Sequence, residues 1–247
     1  MAFQAKPFFK KLWRFTKRAF VIMFFSSLIY IILCRWMMPP ITITQISNSF
    51  SYGLKRDYVS FDEMGYNIKL AALASEDQTF PDHNGFDWDA IKKSFNPPKK
   101  KRNKKTKIPL GGGASTISQQ TAKNVFLWQH GGFLRKGLEF YFTQMMEWTW
   151  NKKRILEVYL NVIEMGPGIF GVEAAAQSYF HKPAKKLTRK EAAMIIACLP
   201  NPKKFTVVPM SPRVSWRHVQ ILREMNFIED DDEVQEVIKT TITKASK

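Results

Sequence analysis

Residues 111–124 read GGGASTISQQTAKN, a stretch of small and hydrogen-bonding side chains on which the assignment of the fold depends. Three glycines precede a run of hydroxyl and amide side chains, and one lysine, Lys123, stands near the end. Neutral donors beside one cation suit the binding of phosphate groups or sugar hydroxyls. On the residues alone, a flexible loop followed by a capped helix is the open alternative.

Upstream of this stretch, residues 67–80 read NIKLAALASEDQTF and predict a helix that ends near the acidic pair Glu76-Asp77. Carboxylates that follow the apolar residues AALA are partly removed from water, which raises a carboxyl pKa toward the range of a general base. Glu76 is therefore the candidate base. Taken alone, an ordinary pair of helix-end carboxylates explains these residues more simply.

Downstream, residues 135–150 have the apolar spacing of a helix. On such a helix Arg135 and Lys136 precede Glu139 by four and three residues, so the three side chains share one face. The cluster could hold a phosphate group through its two cations. The simpler alternative is a surface ion-pair cluster that contributes a few tenths of a kcal/mol, on the order of 0.3.

A further helix is predicted over 152–165, with two opposite stripes. The apolar stripe is Leu156, Leu160 and Ile163, and the polar stripe is Glu157, Asn161 and Glu164. We expect the polar stripe to be a wet or internally hydrogen-bonded face rather than a catalytic unit. The Ala-rich segments 171–180 and 189–199 suit close-packed helices, and strand-like alternation is scarce. The sequence thus predicts a mainly α domain over 61–230.

The N-terminal region has the pattern of a membrane anchor. Six basic residues within 1–18 precede sixteen uncharged residues, AFVIMFFSSLIYIILC, and the segment RWMM extends these to two prolines. Twenty helical residues span about 30 Å, the thickness of a bilayer core. We therefore predict a transmembrane helix over 19–38, retained because no small-x-small cleavage site follows it.

The distribution of charge predicts how this anchor is oriented. Because basic residues favour the cytoplasmic side, the tail 1–18 is predicted to be cytoplasmic and the chain beyond residue 40 to lie outside that compartment. Residues 39–60 mix Thr, Ser and Asn with few apolar positions and are predicted to form a stalk. Residues 231–247 are predicted to be a C-terminal tail.

The net charge of +17 is concentrated in two segments. Residues 1–18 carry six basic residues and residues 92–107 carry nine, neither with an acid, so the remainder is nearly neutral. The second segment lies in PPKKKRNKKTKIPL, residues 97–110, and lacks the interleaved aromatics of a nucleic-acid platform. We predict that it is poorly ordered, that it attracts anionic headgroups or pyrophosphate-bearing substrates, and that no nucleic acid is a partner.

Cysteine and histidine usage excludes several kinds of site. Only two cysteines, Cys34 and Cys198, are present, which excludes a disulfide-rich scaffold and a multi-Cys zinc site. Both lie in apolar runs, so no disulfide is expected between them. His83 and His130 have no paired spacing and are predicted to be structural, so no side chains are assigned as metal ligands.

Taken together, these segments resemble the ordered signature motifs of the peptidoglycan glycosyltransferases. The resemblance covers about 65–205 and is carried by Glu76-Asp77, Phe80, His83, Gly85, Gly113 to Gln120, Lys123-Asn124, Arg135-Lys136, Glu139, Lys152, Ile155 to Glu157, Tyr159 to Asn161, Ala193, Ala197 and Pro200. The chain is most similar to the monofunctional biosynthetic peptidoglycan transglycosylases. This resemblance implies an α-helical, lysozyme-like domain with a small jaw that dips into the membrane.

The resemblance also implies a reaction and its participants. The chain would elongate β-1,4 glycan strands from lipid II by inverting transfer, releasing polyprenyl diphosphate, with its domain in the periplasm and its anchor in the bacterial inner membrane. Lipid II, the lipid-linked growing glycan, membrane lipids and other cell-wall synthesis proteins are the implied partners. A divalent metal, Mg²⁺ or Mn²⁺, is implied at the pyrophosphate.

Roles carry over by motif position. Glu76 and Glu139 are implied to be catalytic, and the implied substrate-binding residues are Asp77, Ser115, Thr116, Gln119, Gln120, Lys123, Asn124, Arg135 and Lys136. One position departs from the pattern, because Gly131 stands where family members usually have an arginine eight residues before the glutamate. A phosphate contact is then either missing or supplied from elsewhere.

Two other classes of protein fit parts of the sequence. A lytic transglycosylase or muramidase would also act on glycan, but it needs a protonated acid at the leaving oxygen and no cationic pyrophosphate site. A non-enzymatic membrane-anchored binding protein would fit the basic composition, although the charge is confined to two segments.

Overall fold

The computed structural model describes residues 5–95, 115–129 and 131–239. The described residues fall into two compact units, divided between Met38 and Pro39, which are described separately. The basic segment 97–110, which we predict to be poorly ordered, lies outside the described residues, and so does His130.

The first unit is one helix, α1 (Ala5–Cys34). Among the described residues one stretch is long and apolar enough to cross a membrane, Phe9–Cys34. The helix continues through the basic residues on the N-terminal side of the predicted span and ends at Cys34, whereas the membrane boundaries at 18 and 38 stay a prediction. Lys and Arg are good helix formers, so the basic segment does not break the helix. The chain leaves it in a turn, where Arg35 N donates to Ile32 O at 3.1 Å.

The second unit is mainly helical, which confirms the predicted mainly α fold. Its helices are α2 (Ile43–Tyr52), α3 (Tyr66–Glu76), α4 (Trp88–Phe95), α5 (Ile117–Phe126), α6 (Phe133–Thr149), α7 (Lys152–Val162), α8 (Val172–Phe180), a 3₁₀ turn (Ala184–Lys186), α9 (Arg189–Ala197), α10 (Pro212–Ile228) and α11 (Asp232–Ile238). Three short strands, β1 (Lys55–Arg56), β2 (Glu164–Gly166) and β3 (Ile169–Phe170), form one small sheet in the order β1-β3-β2. β1 pairs with β3 in parallel, and β2 pairs with β3 antiparallel.

The core is built from two groups of helices. α3 packs against α9 and α10, and α5 packs against α6 and α7. Alanines make the first group possible, since small side chains let helix backbones approach closely, and Ala71, Ala72 and Ala193 are fully buried. Cys198, as predicted, is buried as well, and burial raises the pKa of its thiol to about 12.

The segment predicted as a stalk, 39–60, is instead part of the domain. α2 contacts α5, and β1 joins the sheet through β3. The polar residues that suggested a stalk form buried hydrogen bonds: Gln45 Nε2 donates to Tyr58 Oη at 3.0 Å, and Thr42 caps α2 by accepting from Gln45 N. Polar composition therefore did not indicate solvent exposure here.

The predicted C-terminal tail, 231–247, also begins inside the domain. Asp231 caps α11 by accepting from Glu233 N at 2.9 Å and Val234 N at 3.1 Å. The short helix buries Val234, Val237 and Ile238, and it contacts α3 and α7. Residues 240–247 lie outside the described residues.

Candidate active site

Glu76 ends α3, and its carboxylate is half-buried. One oxygen, Oε2, accepts from Gln120 Nε2 at 3.0 Å, and Oε1 accepts from Ser75 Oγ at 3.2 Å. Burial raises the pKa of Glu76, and the hydrogen bonds from Gln120 and Ser75 partly offset this rise. A carboxylate with a raised pKa and defined donors has the properties of a general base, and this role of Glu76 stays a prediction.

The partner of Glu76 is itself held in place. Tyr159 Oη donates to Gln120 Oε1 at 3.3 Å, so the amide nitrogen of Gln120 is directed at Glu76. Burial raises the pKa of Tyr159 well above its ordinary value, so this hydroxyl stays protonated and remains a donor. Tyr159, Gln120 and Glu76 thus form one chain of hydrogen bonds across α7, α5 and α3.

Arg217 is a residue of this site that sequence reasoning missed. It is buried on α10, where Nη2 donates to Ser75 Oγ at 3.2 Å and Nη1 donates to Glu224 at 2.9 Å. Its charge favours the ionised form of Glu76 and so works against the effect of burial on the pKa. No local pattern links Arg217 to Glu76, since 141 positions separate them.

A second buried carboxylate, Glu139, is surrounded by cations. Oε2 accepts from Arg135 Nη1 at 2.6 Å, and Oε1 accepts from Lys136 Nζ. This confirms the predicted shared face of α6. Lys123, on α5, is half-buried; burial lowers its pKa, while the charges of Glu139 and Glu76 raise it. Lys123 therefore interacts electrostatically with both carboxylates.

The residues present do not fit a metal ion held by the protein. Among the described residues no three His, Cys, Asp or Glu side chains gather. Both oxygens of Glu139 already accept from cations, Arg135 and Lys136. A divalent cation at Glu139 would have to displace these two like charges, so no chemical step is assigned to one.

Three of the predicted substrate-binding residues have structural roles. Thr116 and Gln119 form the capping box of α5, and Thr116 Oγ1 also donates to Gly85 O at 2.7 Å. The Asp77 carboxylate accepts from Ile117 N at 2.9 Å and pairs with His83 at 3.1 Å. These contacts fix the start of α5, and with it Gln120 and Lys123. Substrate contact by the three stays a prediction.

A cavity of about 340 Å³ opens beside this network, between α5, α7 and the loop after α9. The lining residues are Gln120, Lys123, Asn124, Gln129, Tyr159, Ile163, Glu164 and Leu199 to Lys203. Of these, Gln120, Lys123 and Asn124 are among the predicted substrate-binding residues. Asn124 is held by Gln129 Nε2, which donates to its Oδ1 at 2.8 Å. Ser115 is half-buried just before α5 and, like Arg135, Lys136 and Glu139, does not line this cavity.

The polar stripe predicted on a helix over 152–165 divides into two parts, because α7 ends at Val162 and Glu164 begins β2. Phe61 N donates to Glu157 at 2.9 Å, and Asn161 exchanges hydrogen bonds with the backbone of Val59 at 3.0 and 2.9 Å. These two confirm the predicted internally bonded face. Glu164 instead lines the cavity 3.9 Å from Lys203, and burial raises its pKa.

Gly131 is closely packed against the cationic cluster. A Cβ added at this position would lie 2.9 Å from Arg135 Cβ and 3.0 Å from Trp128 Nε1. An arginine there would force Arg135 aside. The glycine at position 131 therefore allows Arg135 to occupy its present position.

Comparison with known proteins shows the family of the chain. A family model described as Transglycosylase matches residues 43–226. A biosynthetic peptidoglycan transglycosylase of Escherichia coli is 51% identical over 180 residues, covering 73% of this chain and 72% of that protein. Proteins of the same name from Aeromonas hydrophila and Bacteroides thetaiotaomicron are 44% and 41% identical, covering 81% and 89% of this chain and 84% and 88% of those proteins. With a family match over more than half of its length and such relatives, the chain belongs to the transglycosylase family.

Proposed function

We propose that the chain is a peptidoglycan glycosyltransferase that elongates β-1,4 glycan strands from lipid II and releases polyprenyl diphosphate. The observation that carries this proposal is the half-buried Glu76, which accepts a hydrogen bond at 3.0 Å from Gln120, a residue that lines the cavity of about 340 Å³. Lys123 lines the same cavity and also interacts electrostatically with Glu139. The names of the relatives support the choice of peptidoglycan as the polymer.

In this proposal Glu76 acts on the acceptor. The acceptor's 4-hydroxyl transfers its proton to the Glu76 carboxylate while its oxygen attacks the anomeric carbon of the donor sugar. The bond from that carbon to the diphosphate oxygen breaks, and the electron pair leaves with the diphosphate. Attack opposite the leaving group inverts the anomeric configuration, which requires one carboxylate on the attacking face. The proton on Glu76 is then released to water.

The cations act on the donor. A diphosphate is a good leaving group and needs its developing charge balanced more than it needs a proton. We assign this to Lys123, Arg135 and Lys136, with Glu139 holding the last two in position through its two oxygens. A divalent metal carried by the diphosphate itself stays a prediction.

The proposed location is the bacterial inner membrane. The single candidate span Phe9–Cys34 among the described residues would anchor the chain, and the six basic residues of 1–18 favour a cytoplasmic N-terminus. The domain would then lie in the periplasm. There it would meet the lipid-linked substrates, the membrane lipids and other cell-wall synthesis proteins.

The test is to give purified full-length chain two substrates in separate reactions, lipid II in detergent and finished cell-wall glycan. We expect polymer from lipid II and no fragments from the glycan. Fragments without polymer would overturn the proposal in favour of a lytic enzyme. The Glu76→Gln variant serves as the matched control for a contaminating polymerase, because only product that depends on Glu76 counts.

A further inference from the structure

Helix α2 presents its apolar residues to the outside and its polar residues to the inside. The outward residues are Ile43, Ile46 and Phe50, and the inward residues are Thr44, Gln45 and Asn48. The outward side chains are 48%, 43% and 85% exposed, whereas no inward one exceeds 6%. Because positions i, i+3 and i+7 share one helical face, the exposed residues form a continuous apolar stripe.

The inward face fixes this orientation by hydrogen bonds. Thr44 Oγ1 accepts from Gln129 Nε2 at 3.0 Å, and Asn48 Oδ1 accepts from Lys203 Nζ at 2.7 Å. Gln45 accepts from Arg56 Nη1 at 3.2 Å. Turning the helix to bury its apolar stripe would leave these polar groups unpaired in the interior, which is costly. The apolar stripe is therefore a stable outer surface of the domain.

The stripe on α2 follows the candidate membrane span closely along the chain. The candidate span ends at Cys34, nine residues before Ile43, and nine residues reach at most about 32 Å. Residues 36–54 contain no charged side chain, and Ile41 adds another exposed apolar residue before the helix. A short amphipathic helix so close to a span, with an uncharged apolar face, is typical of one that lies in the membrane interface.

We propose that Ile43, Ile46 and Phe50 enter the boundary between headgroups and acyl chains, so that α2 lies in the membrane interface. The proposal rests on the membrane anchorage proposed above. Since this stripe has no cations, apolar contact rather than attraction to anionic lipid holds it there. Its binding is then independent of salt, unlike the binding predicted for the basic segment 97–110.

The inward contacts give this surface a function. Gln129 and Lys203, which bond to α2, also line the cavity. A helix with its side chains is about 10 Å thick, so the rim of the cavity would lie about one helix diameter from the lipid surface. A polyprenyl-linked substrate could then present its diphosphate at the cavity while its chain stays in the membrane.

The test measures the depth of a spin label on full-length chain reconstituted in phosphatidylcholine vesicles. Phe50→Cys carries the label, and Phe227→Cys is the matched control, since Phe227 on α10 is 83% exposed. The parent chain gives the background from Cys34 and Cys198, which are buried. We expect the label at position 50 to be severalfold more accessible to oxygen than to an aqueous nickel complex, at both low and high salt. Equal nickel accessibility at the two positions would overturn the proposal.

Activity supplies a second measurement. Phe50→Ser should raise the KM for lipid II in vesicles severalfold and leave kcat within twofold, whereas Phe227→Ser should change neither. An unchanged KM in Phe50→Ser would contradict the role in substrate delivery. If the parent chain fails to polymerise lipid II, the proposed function fails while the depth measurement still decides the membrane contact.

Discussion

The amide nitrogen of Gln120 lies 3.0 Å from a carboxylate oxygen of Glu76, joining the start of α5 to the end of α3. These residues come from two sequence motifs that are 44 positions apart. The capping contacts of Thr116 and Asp77 place Gln120 at this distance, because they fix where α5 begins. The site therefore depends on helix ends, and its predicted effects can be tested one residue at a time.

Replacing the base should slow turnover strongly without unfolding the chain. Glu76→Gln keeps the size and the acceptor oxygen of the side chain but cannot take a proton, so the rate of polymerisation should fall by about 10²–10⁴. Initial rates on lipid II measure the effect. Glu236→Gln, at an exposed carboxylate on α11, is the control and should retain the parent rate. Near-parent polymerisation by Glu76→Gln would remove Glu76 from the mechanism.

The hydrogen bond from Gln120 should set the acid limb of the pH profile. Burial raises the pKa of Glu76, and the Gln120 amide lowers it. In Gln120→Ala the pKa should rise further, so the acid limb of kcat/KM should move to higher pH. Part of the lost activity should return as the pH increases. The measurement is kcat/KM against pH for both proteins. An acid limb at the same pH in both would show that the hydrogen bond from Gln120 does not affect the pKa of Glu76.

The same burial makes Glu76 a source of instability at neutral pH. A carboxyl whose folded pKa is raised binds its proton more tightly in the folded state, so stability is lost as the pH rises from the unfolded pKa through the folded one. Glu76→Gln should therefore unfold at a higher temperature than the parent at a pH of about 7 to 8. This difference should shrink as the pH falls below about 4.5. The measurement is the unfolding temperature of both proteins at neutral pH and at a pH below about 4.5. A difference between parent and variant that is the same at both pH values would contradict the raised pKa.

Sequence reasoning found the parts of the lysozyme-like domain that local patterns determine. The helices around Glu76 and Glu139 follow from apolar spacing, and the shared face of Arg135 and Lys136 follows from helical geometry. Arg217 could not be found, because it reaches Ser75 only through the packing of α10 on α3. α2 was missed for another reason: its polar residues, such as Gln45, find hydrogen-bond partners inside the domain.

A glycine in the interior of α6 offers a test of local stability. Gly137 lies on an exposed part of the helix, and a Cβ there would meet no atom within 4 Å. Gly137→Ala should raise the free energy of unfolding by about 0.5–1 kcal/mol, because alanine loses less backbone entropy in a helix. Chemical denaturation measures the change. A destabilised variant would mean that the space beside Gly137 is filled in solution.

Gly131 provides the sharpest test of the cationic cluster. In Gly131→Ala the new methyl would lie 2.9 Å from Arg135 Cβ, closer than real Cβ atoms pack, so the Arg135 side chain must move. Arg135 then loses its 2.6 Å contact with Glu139 and its position for the diphosphate. A charge-assisted hydrogen bond contributes about 1.5–3 kcal/mol, so kcat/KM for lipid II should fall by about tenfold or more.

The neighbouring glycine is a matched control for that substitution. Gly132→Ala adds the same methyl group one residue later, where nothing lies within 4 Å, so kcat/KM should stay close to that of the parent. Arg135→Ala should lose at least as much activity as Gly131→Ala, and the double variant should lose little more than Arg135→Ala alone, because both changes remove the same contact. If Gly131→Ala is as active as Gly132→Ala, Arg135 tolerates displacement and the glycine is not what keeps it beside Glu139. If the two losses add in full, Gly131 acts through a residue other than Arg135.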